Sequence, residues 1–369
     1  MHGNWKSLAI VTIGAMALAG VRSSHAADRV MMGYFATFAE MKVEDIPFGR
    51  LTHIAHAFLT ADEEGNLVTG KEVPNAELTK AAHGHNVKVL LSLGGGNTTS
   101  AIKNLTTDKD RTAKYVDEVV ALVVDNQYDG VDIDWEYPRT EAEKGQFVAL
   151  VKAFRKKLQQ TAEENGRQEP YLLTAAVSPT EYFGKYIDVD AVMDDLDWLN
   201  VMTYDYSGPW DRVVAHNSPL VPSENDPGRQ WRAVSLSMEY WQKERGVPAD
   251  KLVMGLPFYG RGFPATEKYA PLDRTQRDKH QVLTYTQIRE MLQNDWNAAW
   301  DDEIKAPWMA APDGENLLVA YDDRNSIYRK TVWARSQKFR GVFFWALHQD
   351  RMPDGKSWLV EAAYKAWPK

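Results

Sequence analysis

Short apolar runs alternate with longer amphipathic helical patterns along most of the chain. The polar residues of the apolar runs lie mainly at the C-terminal end of each run, which is typical of parallel strands covered by helices on the outside. Eight such runs lie at residues 29–35, 51–59, 87–95, 129–138, 171–179, 196–206, 251–260 and 341–350. Eight strands, each followed by a crossover, predict an α/β fold of the (β/α)8 type, a TIM barrel. A doubly wound open sheet is the competing topology, and the strand count favours the barrel.

Two segments between these runs show the helical period. Residues 109–125 carry an apolar stripe, and residues 141–165 carry another, followed by a C-terminal stop at Gly166. The second stripe consists of Phe147, Leu150, Val151, Phe154 and Leu158. Amphipathic helices of this kind are the expected outer cover of a parallel barrel.

The interval between the seventh and eighth runs is longer than one helix and two loops require. It extends from Gly260 to Gly341 and contains a helix-like segment, TYTQIREMLQN, and two strand-like segments, IKAPWMA and NLLVAY. We therefore predict a small α+β insertion at residues 264–319, between strands seven and eight, with the barrel formed by residues 27–263 and 320–369.

The first residues have the three-part pattern of a secretory signal. Lys6 precedes an apolar run at residues 8–19, and Ser24 and Ala26 are small residues at the two positions that a signal peptidase recognises. The run is shorter than a membrane span requires, and an uncleaved anchor is the alternative. We expect residues 1–26 to be a signal peptide. The mature protein would then be secreted, extracellular or periplasmic, with no membrane association.

Charge and composition narrow the possible ligands. The formal net charge of −8 argues against nucleic acid and anionic polymers as partners, but not against neutral sugars. Cysteine is absent, so the fold depends on a large core without disulfides. The histidines do not cluster at metal-ligand spacing. We expect a monomer that uses no metal and no other cofactor.

The fourth run, DGVDIDWEYP, places Asp132, Asp134 and Glu136 at every second position. Side chains alternate between the faces of a strand, so the three acids share one face. An edge strand with a solvated face would explain them in isolation, but a strand of a closed barrel has no open face. Like charges held close together raise at least one pKa, which can leave Glu136 protonated near neutral pH. The row therefore indicates acid catalysis at the C-terminal ends of the strands, where catalytic groups of such barrels collect.

The acidic row belongs to a series of motifs that follow one another along the chain. They are SLGG (92–95), DGVDIDWEYP (129–138), MTYD (202–205), GPWD (208–211), GLPFYGR (255–261), YDD (321–323) with Ser326, and Trp345. The acidic row resembles the D-x-x-D-x-D-x-E signature of family 18 glycoside hydrolases, the chitinases, and the other motifs are similar to that family's in the same order. The resemblance covers the chain from about residue 29 to about residue 350 and implies a secreted, bacterial-type chitinase.

The resemblance implies a retaining, substrate-assisted mechanism for cleaving β-1,4 links between N-acetylglucosamine units. The 2-acetamido oxygen of the sugar would attack the anomeric carbon and form an oxazolinium ion, while Glu136 protonates the leaving oxygen and later activates water. Asp134 would hold the acetamido N–H and stabilise the intermediate, and Asp132 would share a proton with Asp134. Tyr204, helped by Asp205, would bond the acetamido oxygen.

The resemblance also implies residues that bind substrate or support the acids. Trp345 would form the floor under the distorted sugar, and Tyr34 and Ser92 would support the buried acids from behind. Asp211 and Arg261 would contact neighbouring sugars. The other implied substrate-binding residues are Phe58, Gly94, Gly95, Asn97, Tyr137, Met202, Trp210 and Tyr259.

One position departs from the family pattern. Chitinases often continue S-x-G-G with a tryptophan that stacks on the sugar after the cleaved bond, whereas this chain has Gly96 and then Asn97. The leaving-group side of the site therefore lacks its usual platform.

Two alternative functions fit the same motifs. One is an endo-β-N-acetylglucosaminidase that acts on N-glycans with the same acetamido chemistry. The other is a non-catalytic chitin-binding relative, which would characteristically lack the acid that Glu136 supplies.

Overall fold

Strands and helices alternate along the chain in the order that the apolar runs predict. The computed structural model describes Met1 and residues 29–70, 72–312 and 315–368. The strands in these residues are β1 (Val30–Ala36), β2 (His53–Ala61), β3 (Leu67–Val68), β4 (Lys88–Gly94), β5 (Gly130–Asp134), β6 (Leu172–Val177), β7 (Trp198–Val201), β8 (Leu252–Pro257), β9 (Tyr259–Phe263), β10 (Gln281–Thr284), β11 (Asn297–Asp301), β12 (Ala306–Ala310), β13 (Leu318–Ala320) and β14 (Gly341–Trp345).

The longer helices follow barrel strands, as the amphipathic patterns predict. The α-helices in the described ranges are α1 (Ala76–His83), α2 (Thr99–Thr106), α3 (Lys109–Asp125), α4 (Glu141–Glu164), α5 (Glu181–Gly184), α6 (Val189–Val192), α7 (Val234–Glu239), α8 (Tyr285–Met291), α9 (Arg324–Ser336) and α10 (Trp358–Ala366). Helix α4 begins at the cap residue Thr140, whose side chain accepts a hydrogen bond from the Glu143 N–H. It ends just before Gly166, which has φ of +61°.

Eight parallel strands close into a barrel. Their order is β1-β14-β8-β7-β6-β5-β4-β2, and β2 pairs back onto β1. In the register of the pairs, Ser92 on β4 lies beside Asp132 on β5, which lies beside Thr174 on β6. The predicted eight-stranded barrel is therefore confirmed, and the open-sheet alternative is excluded. A short strand, β3, pairs antiparallel with the C-terminal end of β2.

Apolar side chains fill both faces of the barrel strands. One cluster lies between the strands and the surrounding helices, and it includes all five predicted positions on α4. A smaller cluster lies inside the barrel and includes Val30, Met32, Trp198 and Phe343. Because both faces are buried, any charged side chain that points inward is removed from bulk water.

A second sheet of five antiparallel strands lies between the last two barrel strands in sequence. Its order is β10-β9-β13-β12-β11. Only Phe258 separates β9 from the barrel strand β8, so the second sheet continues directly from the barrel. Helix α8, β12 and β13 lie within the three segments whose patterns predicted a helix and two strands. The predicted limits of the insertion, 264–319, remain a prediction.

The long segment that follows β7 is hydrogen-bonded to the connections between strands of the second sheet. The Val214 N–H donates to the carbonyl of Ala270 at 2.9 Å, and the Leu220 N–H donates to the carbonyl of Ile304 at 3.0 Å. We call the segment after β7 (residues 202–233) and the second sheet with its connections (residues 259–312 and 315–320) together the rim wall.

The predicted signal peptide, residues 1–26, lies outside the described residues except for Met1. In the ranges that the structure does describe, no helix has both the length and the apolarity needed to span a membrane.

Candidate active site

A cavity of about 240 Å³ opens at the C-terminal ends of the barrel strands. Its lining residues are Tyr34, Phe58, Gly96, Asp134, Glu136, Tyr137, Met202, Tyr204, Asp205, Tyr259 and Trp345. All of them except Gly96 are among the residues predicted to bind substrate or to act in catalysis. A larger groove of about 1280 Å³ lies on the outer surface beside α10, and it is lined by other residues. The cavity at the mouth of the barrel is therefore the candidate active site.

Asp132 lies beneath the cavity and is held by four donors. Oδ2 accepts hydrogen bonds from the Tyr34 hydroxyl and the Ser92 hydroxyl, both at 2.8 Å. Oδ1 accepts from the Thr174 hydroxyl at 2.5 Å and from the Asn200 amide at 3.0 Å. Burial raises the pKa of Asp132, and the four hydrogen bonds oppose this rise. Tyr34 and Ser92 thus both bond to Asp132, and Tyr34 also lines the cavity.

Thr174 and Asn200 are not among the site residues predicted from the sequence. Both are polar residues inside otherwise apolar runs, YLLTAAVSP and LDWLNVMTYDY. Polar side chains that interrupt a buried strand need a partner, and this signal was sufficient to place them near the acidic row.

Asp134 is the second acid of the row, and it lies between Asp132 and the cavity. The residue is 3% exposed, and its Oδ1 atom is buried without a hydrogen-bond partner in the described part of the chain. Burial raises the pKa of Asp134 well above its usual range, and the charges of Glu136 and Asp132 add to the rise. Asp134 thus holds a proton more readily than an ordinary aspartate, and its unpartnered Oδ1 atom is free to bond to a substrate in the site.

Strand β5 ends at Asp134, and Glu136 follows two residues later. The side chain of Glu136 lines the cavity. Burial raises the pKa of Glu136 to about 7; a hydrogen bond from Tyr137 opposes this, and the charge of Asp205 adds to it. The Glu136 carbonyl accepts a hydrogen bond from the Thr99 hydroxyl, which fixes the backbone at this position. A carboxyl group with this pKa can donate a proton near neutral pH and then take one back.

Tyr204 supplies a neutral phenol to the cavity. Burial raises its pKa well above the ordinary value, so the hydroxyl stays protonated and can donate a hydrogen bond. Oδ1 of Asp205 accepts from the Tyr259 hydroxyl at 2.5 Å and from Nε and Nη2 of Arg261 at 2.8 and 2.6 Å. The observed partners of Asp205 are thus Tyr259 and Arg261. Its predicted assistance to Tyr204 stays a prediction.

Aromatic rings form one side of the cavity around Trp345. The Tyr34 ring meets Trp345 edge-on at 5.4 Å between ring centres, and the Phe58 ring stacks on Trp345 at 5.6 Å. Phe38, which the sequence analysis did not select, lies 6.4 Å from Trp345 and is exposed. An apolar, partly open ring face at this position suits the apolar face of a sugar.

Gly94 and Gly95 shape the turn after β4. Gly94 has φ of +112°, and a Cβ atom on it would lie 2.2 Å from the carbonyl oxygen of Asp134. Gly95 has φ of +90°, and its Cβ atom would lie 2.6 Å from the Phe58 ring. Only glycine fits both constraints. Backbone geometry therefore explains these two residues, and their predicted contact with substrate remains a prediction.

Four further residues predicted to bind substrate are not among those that line the cavity: Asn97, Trp210, Asp211 and Arg261. Asn97 is exposed, next to the turn. Trp210 is half exposed, and the guanidinium carbon of Arg261 lies 4.7 Å from its ring centre. Oδ1 of Asp211 accepts a hydrogen bond of 2.6 Å from Nη2 of Arg232, a residue that the sequence analysis missed. Apart from Asn97, these side chains belong to the rim wall.

Comparison with known proteins agrees with this geometry. The sequence profile of glycosyl hydrolases family 18 matches residues 30–350. The chain is 30% identical to Chitinase B of Serratia marcescens over an alignment that covers 82% of this chain and 73% of that protein.

Two solved structures are similar as well. The Group IV chitinase of Ostrinia furnacalis has a TM-score of 0.83 and 26% identity, covering 93% of this chain and 100% of that one. A mutant of the Class V chitinase of Nicotiana tobaccum, solved in complex with NAG4, has a TM-score of 0.82 and 24% identity, which shows the fold alone; it covers 93% of this chain and 99% of that one. The chain is therefore a glycoside hydrolase, and it belongs to family 18.

Proposed function

We propose that this enzyme is a chitinase that hydrolyses the β-1,4 links between N-acetylglucosamine units. The observation that carries the proposal is the cavity in which Glu136, with its pKa raised to about 7, lies beside Asp134 and the Tyr204 phenol. The similarity to Chitinase B of Serratia marcescens supports the choice of substrate.

Glu136 acts first as the acid and then as the base. In the first step it donates its proton to the glycosidic oxygen as the bond to the anomeric carbon breaks. In the second step the carboxylate takes a proton from water, which attacks the anomeric carbon and opens the intermediate. A pKa near the working pH suits a group that must be protonated in one step and ionised in the next.

The acetamido group of the substrate replaces a protein nucleophile, which is the known exception of this family to the two-carboxylate rule. The open Oδ1 of Asp134 can accept a hydrogen bond from the acetamido N–H, and the Tyr204 hydroxyl can donate to the acetamido oxygen. The third carboxylate of the cavity, Asp205, is paired with Arg261 and so is not free to act as a nucleophile. Charge and hydrogen bonding thus favour attack by the substrate's own oxygen and retention of configuration.

A single assay separates this proposal from its alternatives. The enzyme is incubated with chitin oligomers and, separately, with a glycoprotein that carries N-glycans, and the product masses are measured. Release of short N-acetylglucosamine oligomers from the first substrate supports the proposal. Release of whole glycans from the second substrate alone would instead identify an endo-β-N-acetylglucosaminidase, and absence of any product would indicate a binding protein.

We further propose that the enzyme is secreted and acts as a monomer. The signal-like pattern of residues 1–26 supports export. Because each step above uses residues of one chain, the chemistry needs no second subunit.

A further inference from the structure

A series of contacts leads from the catalytic cavity out along the rim wall. Asp205 lines the cavity and accepts two hydrogen bonds from Arg261. The guanidinium of Arg261 in turn lies against the ring of Trp210, at 4.7 Å from guanidinium carbon to ring centre. Trp210 is 50% exposed, so part of its ring faces solvent beyond the cavity lining.

Asp211, the residue after Trp210, links the series to a second, buried guanidinium, that of Arg232. Arg232 is 5% exposed and pairs with Asp211 at 2.6 Å and with Asp226 at 2.8 Å. Its Nε also donates to the carbonyl oxygen of Tyr206 at 3.1 Å. Burying an ion pair of this kind brings little net stability because desolvation offsets the attraction, but it fixes the guanidinium in one position. Because two carboxylates face this one guanidinium, Arg232 offers no free positive charge to a ligand.

Trp231 lies on this fixed guanidinium. The guanidinium carbon of Arg232 is 4.5 Å from the centre of the Trp231 ring, and the residue is 41% exposed. One part of the ring is thus held by a rigid cation while the rest faces solvent. Single exposed apolar residues are common on protein surfaces and need no explanation. Trp231 differs from them because it is held in place and because it continues the series that begins in the cavity.

We propose that Trp231 is an outer sugar-binding platform, on which a chitooligosaccharide that passes Trp210 stacks a further N-acetylglucosamine ring. The ligand is an uncharged sugar chain because Arg232 beneath the ring is already paired with its two carboxylates, so the surface offers an aromatic face rather than a free cation. Arg232 is the positioning residue of this platform. The proposal rests on the proposed chitinase function and adds a site to it.

The test measures binding as a function of oligomer length. All variants carry Glu136→Gln so that the ligand is not cleaved, and calorimetry gives the affinities for the trimer and the hexamer of N-acetylglucosamine. Trp231→Leu keeps apolar bulk over Arg232 and removes the flat ring, and it should lower the hexamer-to-trimer affinity ratio about three- to tenfold, by analogy with aromatic pairs. Trp231→Phe keeps a ring and should retain most of the ratio.

A matched control uses Tyr328, an aromatic residue of α9 with 44% exposure. Tyr328→Ala should leave the ratio unchanged. An unchanged ratio in Trp231→Leu, in the presence of normal hexamer binding by the parent protein, would overturn the platform and leave the proposed function intact. If the parent bound neither oligomer, the proposed function and the platform would both be rejected. A loss of trimer and hexamer affinity by the same factor would show damage to the cavity and would also overturn the platform.

Discussion

A Cβ atom placed on Gly96 would lie 3.5 Å from Oε1 of Glu136, which is an ordinary van der Waals distance. Gly96 is also outside the left-handed region that its two predecessors, Gly94 and Gly95, occupy. A side chain at position 96 therefore meets no backbone strain, and it would stand directly beside the proposed proton donor. The backbone at position 96 would thus accept the tryptophan that related chitinases often carry there.

Introducing that ring should strengthen binding on the leaving-group side. Gly96→Trp is expected to raise the affinity for long oligomers about three- to tenfold, since stacking of a ring contributes roughly 0.5–1.5 kcal/mol beyond the area it buries. The share of transglycosylation products should rise as well, because a bound sugar would compete better with water. Calorimetry and product analysis measure the two effects.

Alanine variants at neighbouring glycines provide the control. Gly96→Ala should leave the melting temperature nearly unchanged, whereas Gly95→Ala should lower it, because Gly95 has φ of +90° and its added Cβ atom would lie 2.6 Å from the Phe58 ring. Unfolding of Gly96→Ala would mean that the glycine serves backbone geometry, and the interpretation of an empty platform would be wrong.

Replacing the proton donor should abolish most of the activity. Glu136→Gln keeps the shape of the side chain and removes the acid, so turnover on chitin oligomers should fall by about a hundredfold or more while the circular dichroism spectrum stays the same. Near-normal turnover would remove Glu136 from its proposed role.

The pH profile should reflect the same carboxyl group. With the Glu136 pKa raised to about 7, the protonated form that donates the proton is lost above that pH, and kcat/KM should fall about tenfold per further pH unit. Asp205→Asn removes a charge that contributes to the rise, so the alkaline limb of the profile should move to lower pH. A limb that does not move would show that Asp205 has no influence on the titrating group.

The contribution of Glu136 to folding stability should fall as the pH rises, whereas a carboxyl group with a lowered pKa stabilises the fold as the pH rises. The pKa of Glu136 is higher in the folded state than the ordinary value of 4.5, so the folded state binds the proton more tightly and loses stability as the pH rises from about 4.5 to about 7. Glu136→Gln removes this loss. The free energy of unfolding of the variant, measured relative to that of the unmodified enzyme, should therefore be roughly 1–3 kcal/mol higher at pH 8 than at pH 4, after allowing for partial solvent exposure. Denaturant unfolding at the two pH values measures the difference, and a constant difference would contradict the prediction.

The stereochemistry of the product tests the role of the acetamido group. If its oxygen is the nucleophile, fresh product must be the β-anomer, and fully deacetylated chitosan should resist cleavage. Proton NMR within the first minutes of reaction distinguishes the anomers. Early accumulation of the α-anomer would be incompatible with the mechanism.

The fold and the inner part of the site could be predicted because their signals are local. Alternation over residues 129–138 puts three acids on one face, and a closed barrel leaves that face only the interior. The same reasoning fails for Arg232, since it lies 21 positions after its partner Asp211 and the intervening loop has no periodic pattern. Asn97 is exposed and lies outside the cavity lining, so its predicted contact with substrate stays a prediction.

The hydrogen bonds to Asp132 come from four different strands: Tyr34 on β1, Ser92 on β4, Thr174 on β6 and Asn200 on β7. A slip of one residue in any of these strands would turn its side chain to the other face of the sheet and withdraw a donor from a fully buried carboxyl group. Correct assembly and catalytic competence thus depend on the same atoms. A barrel that closed out of register would be inactive as well as unstable.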